Sequence, residues 1–206
     1  MLFKEAVRPS TLELVKSLQD RAYLDGFYLV GGTALALYYG HRQSIDIDLF
    51  TNLTFDTEFL LEKLTNDFSY QLTYSANHTL KGSISQVKVD IISHAYPYIG
   101  PACHESGLSL LSEKDIIAMK LNAISISGQR SKDFIDIYYA LRHFSISEII
   151  SFYAEKYRQL NSTHVIKSLI YFDDVDLADW PVMIKDPGLK WDSVKQKIRQ
   201  EVMALL

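Results

Sequence analysis

Residues Ser44 to Phe50 alternate strictly. Ser44, Asp46 and Asp48 fall on one side, and Ile45, Ile47 and Leu49 on the other, which predicts a half-buried strand. Val87 to Ile91 alternates in the same way, with Val87, Val89 and Ile91 on the apolar side and Asp90 on the polar one. Upstream, Phe27 to Val30 reads as a short apolar strand that ends at Gly31-Gly32-Thr33 and runs into a predicted helix over Ala34 to Tyr39. Helical spacing predicts a first helix from about Ser10 to Leu24, through Leu12, Leu14, Val15 and Leu18, and another near Asp56 to Leu64. Strand-like pieces occupy Tyr70–Tyr74 and Thr79–Ile84.

Beyond about Leu111 the pattern turns helical. Ser112 to Asp115 opens a helix running to about Ile126, Lys132 to Leu141 form a second, and Ser145 with Glu148 forms a capping box for a third. An acidic stretch (Asp173, Asp174, Asp176, Asp179) reads as a solvated loop before a last helix over Trp191 to Leu206. The expected architecture is α+β, with a mixed α/β lobe over residues 1–110 and a helical lobe over 111–206.

Composition narrows the class. The 206 residues are 48% hydrophobic and 22% charged, enough apolar material for a core without staples. The formal charge of −4 excludes a strongly basic nucleic-acid coat, so any nucleic-acid surface must be local. One cysteine, Cys103, excludes an internal disulfide framework and suits a reducing compartment. The opening segment has no apolar signal core and no run approaches about 18 apolar residues, so a cytoplasmic protein without a membrane span is expected. The six histidines show no metal-ligand spacing, the Cys103-His104 pair reads as incidental, and Tyr138, Tyr139, Tyr153 and Tyr157 read as packing residues.

Chemistry concentrates in a few places. Asp46 and Asp48, two apart on a strand, leave one face about 7 Å apart. Like charges so close repel, and a divalent cation relieves them. The exposed face of an edge strand would read the same way. Gly31-Gly32-Thr33 between strand and helix suits a phosphate cradle, since helix-start N–H groups face an anion that glycine allows to approach. An ordinary tight turn would also suit it. Asp90, if its strand neighbours the first, would complete a carboxylate triad as a metal ligand or a proton acceptor. Lys120 falls near the middle of an apolar arc formed by Ile116, Ile117, Met119, Leu121, Ala123 and Ile124. A buried unpaired ammonium costs several kcal/mol, on the order of a lost ion pair, so Lys120 either snorkels or reaches an anion. Lys132, Asp133 and Asp136 share one face of the next helix, where Lys132 and Asp136 could form an i,i+4 pair.

The order of these pieces resembles the DNA polymerase β-type nucleotidyltransferase superfamily. The string Gly31-Gly32-Thr33-Ala34-Leu35 … Gly40-His41-Arg42-Gln43-Ser44-Ile45-Asp46-Ile47-Asp48-Leu49-Phe50, with Lys120-Leu121 and Lys132-Asp133-Phe134-Ile135-Asp136 downstream, resembles the AbiEii-type toxin nucleotidyltransferases. The tail, Tyr171 to Asp174 and Trp180 to Met183 with Trp191, is also similar to that family. The resemblance implies an enzyme that uses Mg²⁺ and a nucleoside triphosphate, with the 3′ end of tRNA as acceptor and an antitoxin protein as partner. It implies metal on Asp46, Asp48 and Asp90, phosphate contact from Gly31, Gly32, Thr33 and Ser44, and cations Arg42, Lys120 and Lys132 around the nucleotide. Asp133 would be a catalytic carboxylate, and either Asp90 or Asp133 would be the base. Two alternatives stay open: transfer to a small molecule such as an aminoglycoside or to a protein side chain, and a catalytically degenerate binding module.

Overall fold

The central strand of the protein, β2 (Ile47–Thr51), buries Ile47, Leu49 and Thr51 and leaves Asp48 and Phe50 partly exposed between them. The structure is a computed structural model and describes residues 1–159 and 161–205. On one side β2 runs parallel to β5 (Val87–Ser93), with Ile47 opposite Val89 and Asp48 opposite Asp90. On the other it runs antiparallel to β1 (Tyr28–Leu29). A meander of β3 (Gln71–Ala76), β4 (Thr79–Ile84) and β5 extends one edge. The hairpin β6 (Cys103–Glu105) and β7 (Leu108–Leu110) extends the other through the parallel pair Leu29–Leu110. The sheet order is β3-β4-β5-β2-β1-β7-β6. Ser85 and Gln86 join β4 to β5 with both residues at positive φ, the two-residue turn whose twist suits a hairpin.

Helices α1 (Pro9–Gln19), α2 (Gly31–Tyr39) and α3 (Thr57–Phe68) accompany the sheet. After Leu110 the described elements are helical: α4 (Glu113–Ile126), α5 (Ser131–Ala140), α6 (Ile146–Tyr157), α7 (Thr163–Leu169) and α8 (Trp191–Met203). Caps set the starts. Asp56 accepts from the N–H groups of Glu58 and Phe59, Ser112 accepts from Asp115, and Ser145 and Glu148 complete the expected capping box. The core is continuous from the sheet into the helices, since α2 is buried on nearly every side and packs on α4 and α5. Among the described residues no helix is long and apolar enough to cross a membrane.

A fully buried ion pair ties the β5–β6 connection to the helices. Lys156 on α6 donates to Asp115 Oδ1 at 2.8 Å and to the Pro97 carbonyl at 3.1 Å. The same Asp115 carboxylate accepts from the Ser112 hydroxyl and from the N–H groups of Ile99 and Gly100. Every lone pair that burial removes from water is thereby re-bonded, which is the condition under which a buried pair is tolerated.

Several boundaries differ from the sequence pattern. Helix α1 stops at Gln19, and a 3₁₀ turn over Ala22–Leu24 replaces its expected last turn. Gly31-Gly32-Thr33 is the first turn of α2 rather than a loop before it. The alternating strand begins at Ile47 because Asp46 gives its carbonyl to the Thr33 hydroxyl while Ser44 bridges to Val7. Strands β6 and β7 and the short α7 were not expected at all. Leu206, expected in the last helix, lies outside the described residues.

Candidate active site

Parallel register places Asp48 and Asp90 side by side on one face of the sheet, with Asp46 on the turn leading into β2. The N–H of Val30 donates to the Asp48 carbonyl at 2.9 Å, which fixes the end of β1, and so the start of α2, against the carboxylates. Gly31 then opens α2 with φ of +69°, and a Cβ there would lie 2.1 Å from Asp48 Oδ2. Only glycine lets the carboxylate lie against the helix start. The N-terminus of α2 has no side-chain cap, so its first N–H groups remain available to an anion. Burial and the neighbouring Asp90 charge push the Asp48 carboxyl up to about 6. Asp90 Oδ2 takes Lys88 Nζ at 3.0 Å, while its Oδ1 is buried without a partner. Replacing Gly31 with Ala is expected to cost about 1–2 kcal/mol or more, from the positive φ and the displaced carboxylate. Urea unfolding would show this as a lower midpoint at unchanged slope.

Behind the carboxylates lies a buried charge network centred on Asp136, which the sequence pattern offered only as a possible partner of Lys132. Asp136 accepts a two-pronged bond from Arg42, Nε to Oδ1 at 2.8 Å and Nη2 to Oδ2 at 3.0 Å. His41 Nε2 donates to Oδ1 at 2.8 Å, and Lys120 Nζ lies 2.9 Å from Oδ2. Lys120 also donates to Asp133 Oδ1 at 2.6 Å. Burial opposes the Asp136 charge, but Arg42 and Lys120 outweigh it and hold the carboxyl well below its usual range. Burial alone would lower the Lys120 ammonium, and Asp133 and Asp136 reverse that. His41 is pushed down by burial, so it donates as a neutral ring. Lys120 therefore reaches carboxylates and does not snorkel. The expected Lys132–Asp136 pair is absent, because Asp136 is taken up by Arg42 and Lys120 while Lys132 Nζ pairs with Asp179 at 2.5 Å. Gly32 serves this network, since a Cβ there would meet Arg42 Nη2 at 2.2 Å. Thr33 is a brace: its hydroxyl donates to the Asp46 carbonyl and shares a 2.8 Å hydrogen bond with the Ser44 hydroxyl.

Two adjoining hollows meet at this point. The larger, about 350 Å³, is bordered by Gly32, Thr33, Arg42, Ser44, Asp46 and Asp48 on the sheet side, with Lys132 facing them from α5. The smaller, about 160 Å³, adds Gly31, Lys120 and Asp133 and an apolar wall of Val30, Phe50, Met119 and Ala123. Gly32, Asp48 and Arg130 belong to both. Every candidate from the sequence thus lines one hollow or the other except Asp90, which sits beside Asp48 in the sheet. A roomier open hollow, about 550 Å³, between α1 and the β6–β7 hairpin contains none of these groups.

The mixed sheet and its helices have the nucleotidyltransferase fold. Two solved structures are similar to the chain throughout. JHP933 from Helicobacter pylori is 15% identical with a TM-score of 0.56, covering 97% of this chain and 93% of that one. MenT4, the nucleotidyltransferase toxin Rv2826c of Mycobacterium tuberculosis H37Rv, is 14% identical with a TM-score of 0.56, covering 95% and 84%. The uncharacterized protein aq_aa25 of Aquifex aeolicus (strain VF5) is 29% identical over 200 residues, 94% of this chain and 95% of that one. The sequence model of the family described as nucleotidyl transferase AbiEii toxin, type IV TA system, matches residues 13–77 and 62–204. The chain belongs to this family of toxin nucleotidyltransferases.

Proposed function

We propose that the chain transfers a nucleotide from a nucleoside triphosphate to a hydroxyl of RNA, the 3′ end of tRNA in particular, as the toxin of a toxin–antitoxin pair. The observation that carries this reading is Asp48, which borders a hollow rich in cations and has Asp90 beside it in register on the next strand. That hollow gathers five basic side chains, Arg8, Arg42, Lys88, Arg130 and Lys132, against three carboxylates, Asp46, Asp48 and Asp179. Arg8 and Lys88 continue into a neighbouring depression floored by Ile45 and Asp46. These basic side chains, although Arg42, Lys88 and Lys132 are paired with Asp136, Asp90 and Asp179, supply local cations for an anionic acceptor despite the overall charge of −4.

The donor set suits Mg²⁺. That ion takes one or two carboxylates and completes its shell with water and phosphate oxygens. Among the described residues no three His, Cys, Asp or Glu side chains converge closely enough to hold a cation unaided. The unpartnered, buried Asp90 Oδ1 beside the strained charge of Asp48 is nevertheless what such an ion would relieve. Asp46 and Asp48 would hold it, and when bound it would supply charge neutralisation at the α-phosphate.

The residues divide the remaining work. The first turn of α2, with Ser44 beside it, receives phosphate oxygens, and Arg130, Lys132 and Lys120 face the pyrophosphate. The acceptor oxygen bonds to the α-phosphorus as the bond from that phosphorus to the bridging oxygen breaks, and pyrophosphate leaves with the electron pair. The hydroxyl proton passes to Asp90. Asp133 is a poorer acceptor because Lys120 and Arg130 face both of its oxygens, at 2.6 and 3.7 Å, whereas Lys88 takes one oxygen of Asp90 and leaves the other unpartnered. The test is incubation with each ribonucleoside triphosphate labelled at the α-phosphate, offered total tRNA, proteins and aminoglycosides in parallel. Label on the RNA 3′ end is expected, and Asp90→Asn is expected to slow transfer by about 10²–10⁴-fold. A larger loss in Asp133→Asn would reassign the base. Label on another acceptor would replace the RNA assignment, and nucleotide binding without transfer would indicate a degenerate module.

A further inference from the structure

We propose that the acidic segment between α7 and α8 is a strap that supplies an internal counter-anion to the phosphate hollow. In this reading Asp179 occupies Lys132 until a triphosphate displaces it, an inference that rests on the nucleotide reading above. The segment is pinned at both ends and crosses the hollow between the pins. At one end Phe172 packs against Phe134 and Trp191, and the N–H of Asp176 donates to the Gln129 carbonyl at 2.8 Å, next to Arg130. At the other, the N–H of Gln43 donates to the Val182 carbonyl and that of Ile184 donates to the His41 carbonyl, both at 2.8 Å and both flanking Arg42. Between them the chain folds into a tight turn, with Ala178 N–H on Asp176 Oδ1 and Trp180 N–H on the Leu177 carbonyl. Asp179 sits in that turn and, with Pro181 and Val182, closes one wall of the hollow.

The pair it makes is asymmetric. The Lys132 side chain is 24% exposed and that of Asp179 is 75% exposed, so a sheltered cation is held by a carboxylate that water can readily solvate. Lys132 stands in the first turn of α5, whose N-cap residue Arg130 offers no side-chain acceptor. Asp133 already stands in that first turn, so it is the Lys132 ammonium that calls for a further anion. Asp179 answers with a single charge, and a triphosphate answers with several. The acidic stretch, which the sequence pattern suggested was merely solvated, thus places one of its members in the site. The remaining pins lie in backbone hydrogen bonds and aromatic packing, so releasing Asp179 requires no unfolding of the strap.

The test is calorimetric titration of the full chain with Mg²⁺-tripolyphosphate, a probe without a base, at low salt and at about 0.5 M NaCl. Asp179→Asn is expected to bind about three- to fivefold more tightly than wild type, the range an exposed ion pair can contribute. The gain should shrink at high salt and vanish in a Lys132→Gln background, as a double-mutant cycle requires if the two act as a pair. Unchanged or weaker binding by Asp179→Asn overturns the strap, as does an equal gain without Lys132. The labelled transfer assay separates the two proposals. Transfer by wild type with no gain in Asp179→Asn refutes the strap alone, whereas absence of both transfer and tripolyphosphate binding refutes the nucleotide reading and the strap with it.

Discussion

Asp48→Asn is expected to abolish nucleotide transfer and, at the same time, to make the protein harder to unfold. Asp48 lies against the start of α2 and borders both hollows, so in the proposed reaction loss of its charge would remove a metal ligand. The loss should be at least about 10²–10³-fold. Its stability effect runs the other way. The Asp48 carboxyl is raised from 3.8 to about 6, first by burial and then by Asp90. Between those values the native state holds a proton that the unfolded chain has released, so stability falls as pH rises through this window. Above it, the charged carboxylate carries a penalty of about 3 kcal/mol by the shift alone, and about 2 kcal/mol once its partial exposure to water is allowed for. Asn, nearly isosteric and uncharged, escapes that penalty. At pH 7.5 the variant should melt about 4–8 °C above wild type, and near pH 4 the two should coincide. A variant less stable than wild type at pH 7.5 would show that Asp48 is not held under strain. The same titration predicts weaker Mg²⁺-nucleotide binding below about pH 6, where a proton must leave before the cation can enter.

Asp48 was legible in the sequence because alternation in β2 is a local signal, and so was Asp90 on β5. Their pairing was not, since register between strands some forty residues apart depends on the whole sheet. Lys120 stood out because an ammonium on an apolar arc needs a reason. Its partners Asp133 and Asp136 were in view on the next helix, yet Asp136 already had a locally adequate explanation as an i,i+4 partner of Lys132. Only the fold reveals that Arg42 takes Asp136 while Lys132 turns to Asp179 on the strap. Gly31 and Gly32 were read as a phosphate cradle. The structure adds that each also makes room for a particular side chain, Asp48 for the first and Arg42 for the second. What the pattern missed outright was short or distant. Strands β6 and β7 have three residues each, too few for a period to emerge. The Lys156–Asp115 pair joins residues 41 apart.

Asp136→Ala is expected to be the most damaging single change in this region, and it should fail in the opposite manner to Asp48→Asn. Asp136 is fully buried and satisfies Arg42, His41 and Lys120 together. Its removal leaves a guanidinium with no carboxylate and an ammonium with only Asp133, both shut away from water. Breaking a buried pair in this way costs about 3–5 kcal/mol, far more than an exposed pair contributes. For a chain of this size that lowers the melting temperature by about 6–20 °C. The sign of the pH dependence follows from the depressed carboxyl: its contribution is whole above the usual carboxylate range and is lost as pH falls through its own lowered value. The difference in stability between wild type and Asp136→Ala should therefore be largest near neutrality and narrow in strong acid. A fall of less than about 2 °C at pH 7.5 would mean that water or another residue replaces the carboxylate, and the network would not be the keystone proposed. Transfer should be lost as well, because Asp136 pairs with both Arg42 and Lys120, which line the hollows. The site thus has two electrostatic layers. At the sheet, Asp48 carries a charge penalty beside Asp90 that the proposed cation would relieve. Behind them, matched charges form part of the core, where activity and folding rest on the same carboxylate.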